Sequence, residues 1–283
     1  MNRVLIGMFL VLTLAAGGLS AGVVITVDGG VSDWGVTPGT DWTPDDASIC
    51  YWTEPAVGSD GYVGPGYGGQ TFNVEALYAV ESNDRLYFAV VTGFPPNGAS
   101  GWNGSANEQF YPGDILIDFE PYYAPGSSAT APTDTIDFAI ETTTYGAGYE
   151  HGGVGAEGAG ALFSNVTPGL SRIRWNSVYD AVEIGRNADH SAQGTLVGAA
   201  AEFIYSNYGS GHWVLEGSIP SDVFADFRGQ DARITWTMTC ANDFGQVQCG
   251  LPLHEETPGV PEPTSALLLL GSVGLGLLRR RSA

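Results

Sequence analysis

The sequence contains no lysine. Across 283 residues there are ten basic side chains, all arginine, against 31 aspartates and glutamates, and the formal net charge is -21. Four of the arginines stand at the two ends, as Arg3 and Arg279–Arg281, so the body between them is even more acidic. A surface of this sign repels phosphate backbones and anionic lipid headgroups. We therefore expect no nucleic-acid partner.

Cysteine and histidine are also scarce. The three cysteines form no Cys-x-x-Cys pair, and the four histidines lack metal-ligand spacing, so neither a zinc site nor a haem site is supported. Three cysteines fit an oxidising compartment. Because Cys240 and Cys249 flank a predicted turn, we expect a disulfide between them, with Cys50 either free or pairing in place of one of them.

The motifs of nucleophilic catalysis are missing. Between residues 22 and 259 there is no Gly-x-Ser-x-Gly sequence and no phosphate-binding glycine loop. Asp114, Asp118 and Glu120 share one face of a predicted strand, and paired carboxylates can hydrolyse glycosides. In a chain with 31 acidic residues such pairs arise by chance. We expect no enzyme, and a polysaccharide hydrolase is the least favoured alternative.

Long segments of helical periodicity are absent between the two ends, and apolar and polar residues alternate instead. This alternation predicts an all-β fold, an antiparallel β-sandwich of about eight or nine strands in which each sheet has one solvent-exposed face. Long loops are expected over residues 28–71 and 146–160. The main predicted strands are Val23–Val27, Phe72–Val80, Arg85–Thr92, Asp114–Phe119, Val178–Ile184, Thr195–Tyr205 and Trp213–Ile219, and the Ala-rich part of Thr195–Tyr205 also suits a helix.

Both ends of the chain are apolar. Residues 1–21 have the three parts of a secretory signal peptide, namely a basic N-terminal region, an apolar run and a cleavage region of small residues. Residues 260–283 contain Pro261-Glu262-Pro263, an apolar run over Ala266–Leu278, and Arg279-Arg280-Arg281. A helix of that run spans roughly 20 Å at about 1.5 Å per residue, less than the ~30 Å of a hydrocarbon core. The predicted folded domain is therefore 22–259.

The C-terminal pattern resembles the PEP-CTERM sorting signal of Gram-negative bacteria that produce exopolysaccharide. Pro261, Glu262 and Pro263 match its motif, and the apolar transmembrane helix and the arginines Arg279, Arg280 and Arg281 follow in the expected order. The resemblance implies that an exosortase recognises and cleaves this segment, which holds the chain in the membrane until then. It also implies delivery to the outer surface or the extracellular matrix.

A second resemblance is to DOMON-like domains and family-nine-type carbohydrate-binding modules. The segments that carry it are Val27-Asp28-Gly29, Asp33-Trp34, the Ala76–Val90 hairpin, Gly113–Asp118 and Leu215–Pro220. The resemblance implies a jelly-roll-like sandwich, in some members with structural calcium and a glycan site.

Aromatic and acidic residues crowd the long loops. Aromatic rings stack on sugars, so the candidate glycan-binding residues are Trp42, Trp52, Tyr62 and Tyr67. The same rings could equally fold the loop back over the sandwich as a lid. Calcium requires several oxygen ligands, and loop carboxylates supply them. The candidate calcium ligands are Asp28, Asp33, Asp45, Asp46, Asn242 and Asp243.

These observations together predict a non-catalytic, exosortase-processed protein of the cell surface or extracellular matrix. A glycan-binding module is the first alternative, with extracellular polysaccharide as its partner.

Overall fold

The computed structural model describes residues 23–37, 42–54, 68–102, 106–120, 135–142, 159–173, 178–184, 192–198, 202–241 and 243–252. The predicted signal peptide and the predicted sorting segment, with Pro261, Glu262, Pro263 and Arg279–Arg281, lie outside these residues, as do Tyr62, Tyr67 and Asn242. Within the described part, no helix has the length and hydropathy needed to cross a membrane.

Fifteen strands are present in the described residues. They are β1 Cys50–Thr53, β2 Val74–Ser82, β3 Arg85–Thr92, β4 Ala99–Trp102, β5 Asn107–Phe110, β6 Ile115–Phe119, β7 Ile136–Ile140, β8 Leu162–Val166, β9 Pro168–Ile173, β10 Val178–Ile184, β11 Thr195–Gly198, β12 Glu202–Gly209, β13 His212–Pro220, β14 Asp231–Thr237 and β15 Phe244–Gly250. Two short 3-10 helices, Gln70–Phe72 and Ser221–Phe227, complete the secondary structure of this part.

The strands form two antiparallel sheets packed face to face. The first sheet has the order β1-β2-β3-β13-β12 and the second the order β11-β8-β7-β6-β14-β15. Two hairpins, β4-β5 and β9-β10, stand apart from them. The predicted all-β, antiparallel sandwich is therefore confirmed.

The predicted hairpin between β2 and β3 is also confirmed. Asn83 and Asp84 form its turn, both in the left-handed backbone region with φ of 50° and 57°. Two such residues in succession are typical of the tight turn whose twist matches that of the flanking strands, and Asn and Asp tolerate this conformation.

The main core lies between the two sheets. Leu77 and Phe88 from the first sheet pack with Ile117, Ile234 and Trp236 from the second, and all are at most 1% exposed. The period-two alternation of the predicted strand Arg85–Thr92 thus selects the inward-facing residues of β3, and β14 follows the same alternation. Burial of this apolar surface is the main source of the stability of the sandwich.

The outer face of the central strands of the first sheet and part of the outer face of the second are covered, which the alternation did not predict. Residues 23–37, which we call the N-terminal strap, cross the outer face of the first sheet, where Ile25, Val31 and Trp34 pack on Tyr78 and Ala89. A third apolar cluster on the second sheet includes Leu116, Phe163 and Ile184. The expectation of one solvent-exposed face is wrong for the central strands β2 and β3, because both of their faces are buried.

Three predicted elements differ from the structure. Val23–Val27 forms no strand and pairs with no strand of the described chain, because it belongs to the strap. Thr195–Tyr205 divides into β11 and β12, which belong to different sheets. The predicted loop 28–71 contains β1, which pairs with β2 and supplies an edge of the first sheet.

A disulfide joins Cys50 on β1 to Cys249 on β15, with Cα atoms 5.5 Å apart. It links the edge strands of the two sheets on one side of the sandwich. The prediction of a Cys240–Cys249 bond is wrong, because the β14-β15 register places Cys249 opposite Ala232, whereas Cys240 lies beyond the other end of β14. Cys240 is half-buried and takes no part in this bond.

Candidate functional site

A polar cluster lies at one end of the first sheet. The pairing of β2 with β3 shifts register between Val74 and Ala76, so Glu75 occupies a β-bulge. Its carboxylate is buried, and Oε1 lies 2.8 Å from Nδ1 of His212, the first residue of β13. The same oxygen accepts a hydrogen bond from the side-chain amide of Gln70. The bulge thus places a carboxylate immediately before the apolar residues 76–80 of β2.

Trp42 stands beside this cluster. Its ring meets that of His212 edge to face, with centroids 5.3 Å apart and an interplanar angle of 69°. The Tyr78 hydroxyl donates to the Trp42 carbonyl oxygen at 2.7 Å, which holds a backbone with φ of 58°. The neighbouring turns contain Gly69 and Gly209, each with positive φ and open space beside the Cα atom.

This arrangement combines an aromatic ring with fixed polar groups at a partly open surface. Gln70 is exposed, His212 and Trp42 are half-buried, and Glu75 carries the acceptor beneath them. An apolar ring bordered by a few oriented donors and acceptors is the usual composition of a site for a small polar ligand. We call Trp42, Gln70, Glu75 and His212 the sheet-end cluster.

The structure does not bring the predicted glycan-binding aromatics together. Trp42 belongs to the sheet-end cluster and packs beside the apolar residues outside the first sheet. Trp52 instead packs against the central core, with Cζ3 3.1 Å from the Cβ position of Gly245 on β15. Trp42 and Trp52 both pack against the sandwich, as expected for the alternative in which these rings fold back onto it.

Two of the predicted calcium ligands, Asp45 and Asp46, are exposed. Asp46 Oδ1 accepts hydrogen bonds from the backbone N–H and hydroxyl of Ser48, at 2.8 and 2.7 Å, which lowers the pKa of Asp46. No group of three or more His, Cys, Asp or Glu side chains in the described residues could hold a metal ion. The donor set present there does not fit a calcium site.

Asp28 and Asp33 instead lie near a buried acid on β13. Glu216 is 0% exposed, and its Oε2 accepts the backbone N–H groups of Asp28 and Gly29 at 2.9 and 2.8 Å. Its Oε1 accepts the indole N–H of Trp34 at 2.8 Å. Burial raises the pKa of Glu216 to about 7, and the charge of Asp33 adds to this effect while the three hydrogen bonds oppose it.

Asp243 is a second buried acid, and it connects the two sheets. Its Oδ2 accepts the backbone N–H of Val74 at the start of β2 at 2.7 Å, and its Oδ1 accepts the N–H of Phe244 at 2.9 Å. Burial, with a smaller effect from the nearby charge of Glu54, raises the pKa of Asp243 to about 7 against the opposing effect of its two backbone hydrogen bonds. Asp243 therefore acts as a structural acceptor that joins β15 to the start of β2.

The candidate hydrolytic residue Asp114 is only 2% exposed. Its Oδ1 accepts the N–H of Thr142 at 3.0 Å, and its Oδ2 accepts the N–H of Ile184 at 2.8 Å. Both carboxylate oxygens therefore bind backbone amides, one after β7 and the other at the end of β10. This geometry attaches the β9-β10 hairpin to the second sheet.

The other two candidate hydrolytic residues have different surroundings. Asp118 is buried on β6, opposite Arg233 of β14. Glu120 follows β6 and is exposed. Of the three carboxylates, two are therefore inaccessible to a polysaccharide chain.

Comparisons with known proteins add no relative. No protein-family model matches the chain, and searches of curated proteins and of solved structures find no significant match.

Proposed function

We propose that this protein is an exported, non-catalytic β-sandwich protein of the cell surface or extracellular matrix, sorted by an exosortase through Pro261-Glu262-Pro263. The observation that carries the proposal is the disulfide between Cys50 and Cys249. Disulfides persist in the periplasm and outside the cell, whereas cytosolic thiols are kept reduced. The net charge of -21 suits a soluble matrix protein and disfavours nucleic-acid partners.

The non-catalytic part of the proposal rests on how the buried acids are used. Asp114, Glu216 and Asp243 each accept two or more N–H groups from the protein itself. A general acid or nucleophile must reach a substrate, and these carboxylates are already engaged in holding segments together.

The sorting proposal is tested with the full chain in an exopolysaccharide-producing host, with and without its exosortase. We expect a processed surface form when the enzyme is present and a membrane-held precursor when it is absent. Glu262→Gln should reproduce the precursor, whereas Glu255→Gln, a nearby acid outside the motif, should leave processing intact. Identical processing and location of the wild-type chain in both hosts would refute the proposal.

Glycan binding is the second candidate function, and the sheet-end cluster favours it. A half-buried Trp42 beside the half-buried His212 and the exposed Gln70, with the buried Glu75 beneath them, offers an apolar ring and oriented hydrogen-bonding groups to a polyhydroxylated ligand. Glycan-array binding of the exported chain should fall roughly tenfold with Trp42→Ala. Trp102→Ala is the matched control, since Trp102 is 68% exposed and lies on β4. Equal binding by both variants would count against this site.

A further inference from the structure

The N-terminal strap is attached to the first sheet by side chains. The Ser82 hydroxyl donates to the Val23 carbonyl at 2.6 Å, the Ser206 hydroxyl donates to the Gly29 carbonyl at 2.8 Å, and Glu216 accepts from three N–H groups of the strap. No ladder of backbone hydrogen bonds joins residues 23–37 to the sheet in the described chain. The strap is therefore held by three anchoring side chains and by apolar packing.

Glu216 contributes the most to this attachment. It binds the strap at two places, since Oε2 holds the turn at Asp28 and Gly29 and Oε1 holds Trp34, which is 0% exposed. Gly29 has φ of 79°, and a Cβ atom there would collide with the Ser206 hydroxyl, so the strap approaches the sheet as closely as a backbone can.

The charges around Glu216 do not neutralise it. The ionisable side chains on the elements packed around its carboxylate are those of Asp28 and Asp33 on the strap, Glu202, Tyr205 and Tyr208 on β12, Arg85 and Tyr87 on β3, and His212 on β13 itself.

Both of the basic groups are engaged elsewhere. Arg85 donates to Ser218 at 2.9 Å, and His212 pairs with Glu75 at 2.8 Å. Asp33 carries the like charge that acts on Glu216, and its Oδ1 is buried without a hydrogen-bond partner among the described residues. Ionising Glu216 therefore leaves a buried charge that no basic group neutralises and places it near the like charge of the half-buried Asp33, which is unfavourable.

We propose that the N-terminal strap is a pH-sensitive cover, which stays closed over the first sheet while Glu216 carries a proton and opens when Glu216 ionises beside Asp33. Opening uncovers the apolar outer face of the first sheet, including Tyr78, Ala89 and Val91. The proton removes the desolvated charge of Glu216, which is the larger effect, and its repulsion with Asp33, while leaving the carbonyl oxygen of Glu216 able to accept the N–H groups of Asp28 and Gly29.

The direction of the response follows from proton linkage. Glu216 has a pKa of about 7 under the strap and an ordinary value near 4.5 when it is uncovered. A group whose pKa is raised in the closed state stabilises that state fully below about pH 4.5, and the stabilisation is lost as pH rises through about 7. The ratio of open to closed strap should rise on the order of 50-fold between roughly pH 5 and pH 8.

Hydrogen exchange with peptide mass spectrometry on the exported full chain measures this ratio. After correction for intrinsic exchange rates, amides of the strap should exchange much faster at pH 8 than at pH 5, while those of β6 should keep their protection. Binding of an apolar fluorescent dye should rise over the same range, because the sheet face becomes accessible.

Three variants separate the proposed cause from general pH effects. Glu216→Gln should abolish the pH response of the strap, and Asp33→Asn, a milder change, should reduce its amplitude. Asp243→Asn is the matched control, since Asp243 is also a buried acid with a raised pKa but does not contact the strap, and the response should persist. Strap protection that is equal at both pH values, or a response unchanged in Glu216→Gln and Asp33→Asn, would overturn the proposal.

Discussion

Single acidic side chains hold distant parts of this chain together. Asp114 binds the backbone of residues 142 and 184, Glu216 binds residues 28 and 29, and Asp243 binds residue 74. In each case a buried carboxylate satisfies backbone N–H groups that lie outside a regular ladder. This accounts for part of the unusual acidity of a chain that has few basic partners to offer.

Replacement of Asp114 tests this use of carboxylates. Asp114→Ala leaves the N–H groups of Thr142 and Ile184 buried without their acceptors, so we expect a loss of roughly 2–4 kcal/mol in the free energy of unfolding. Glu120→Ala, an exposed acid just beyond the same strand, should change stability by less than about 0.5 kcal/mol. Urea unfolding measures both, and similar losses would show that Asp114 has no special role.

Asp243 makes folding stability depend on pH. Its pKa is about 7 in the folded protein against an ordinary value of 3.8, so its contribution is full below about pH 3.8 and is lost as pH rises through 7. We expect the free energy of unfolding to fall by about 2 kcal/mol for this group between roughly pH 5.5 and pH 8. Asp243→Asn should remove about half of the total pH dependence, and Glu216 should account for much of the rest. An unchanged slope in Asp243→Asn would contradict this assignment.

At the level of strands, local signals were sufficient for some elements and not for others. The β2-β3 hairpin could be predicted because both its alternation and its turn, Asn83-Asp84, are local. β1 could not, since its four residues become a strand only by pairing with β2. The buried outer faces were missed because the covering residues come from elsewhere in the chain, as with Trp34 over Tyr78.

The sheet-end cluster was only partly predictable. Trp42 stands out in sequence as an aromatic residue in a polar loop. Glu75 and His212 meet across 137 positions, through a bulge that no local pattern reveals. The available signal was an acid inside an apolar strand, which also marks Glu216, and such residues are worth treating as candidate anchors whenever they interrupt a buried strand.

Glycine at one position of β15 fixes the spacing of the two sheets. A Cβ atom on Gly245 would collide with Leu77 and lie 2.9 Å from Val74 Cγ1. Gly245→Ala should therefore destabilise the protein by about 1–3 kcal/mol through overpacking. Gly250→Ala on the same strand is the control, because its Cβ atom would meet only the Asp231 carboxylate, at 3.2 Å. Thermal unfolding measures the midpoint of each variant. Equal midpoints would mean that the two sheets can move apart to accommodate the added methyl group without loss of stability.

For the whole molecule, the disulfide unites segments that lie 199 residues apart in the chain. Cross-linking so long a loop restricts the unfolded chain, and loss of a native disulfide typically costs about 2–5 kcal/mol. It also fixes the closed edge of the sandwich, where β1 and β15 meet.

Removal of this bond should lower stability far more than removal of the remaining thiol. Cys249→Ala or Cys50→Ala should reduce the free energy of unfolding by about 2–4 kcal/mol, whereas Cys240→Ala should cost less than about 1 kcal/mol. Mass spectrometry of the alkylated, non-reduced chain should place label on Cys240 only. Label on Cys50 instead would restore the Cys240–Cys249 pairing expected from the sequence.

The covalent link at β1 and β15 has a mechanical consequence. The disulfide between Cys50 and Cys249 holds the two sheets together along one edge of the sandwich. Partial separation of the two sheets must begin at the opposite edge, where β11 and β12 are the outermost strands. Heating or mechanical force should therefore separate the sheets at that edge first. The disulfide-linked edge should keep the strands in register, so that the sheets can pack together again.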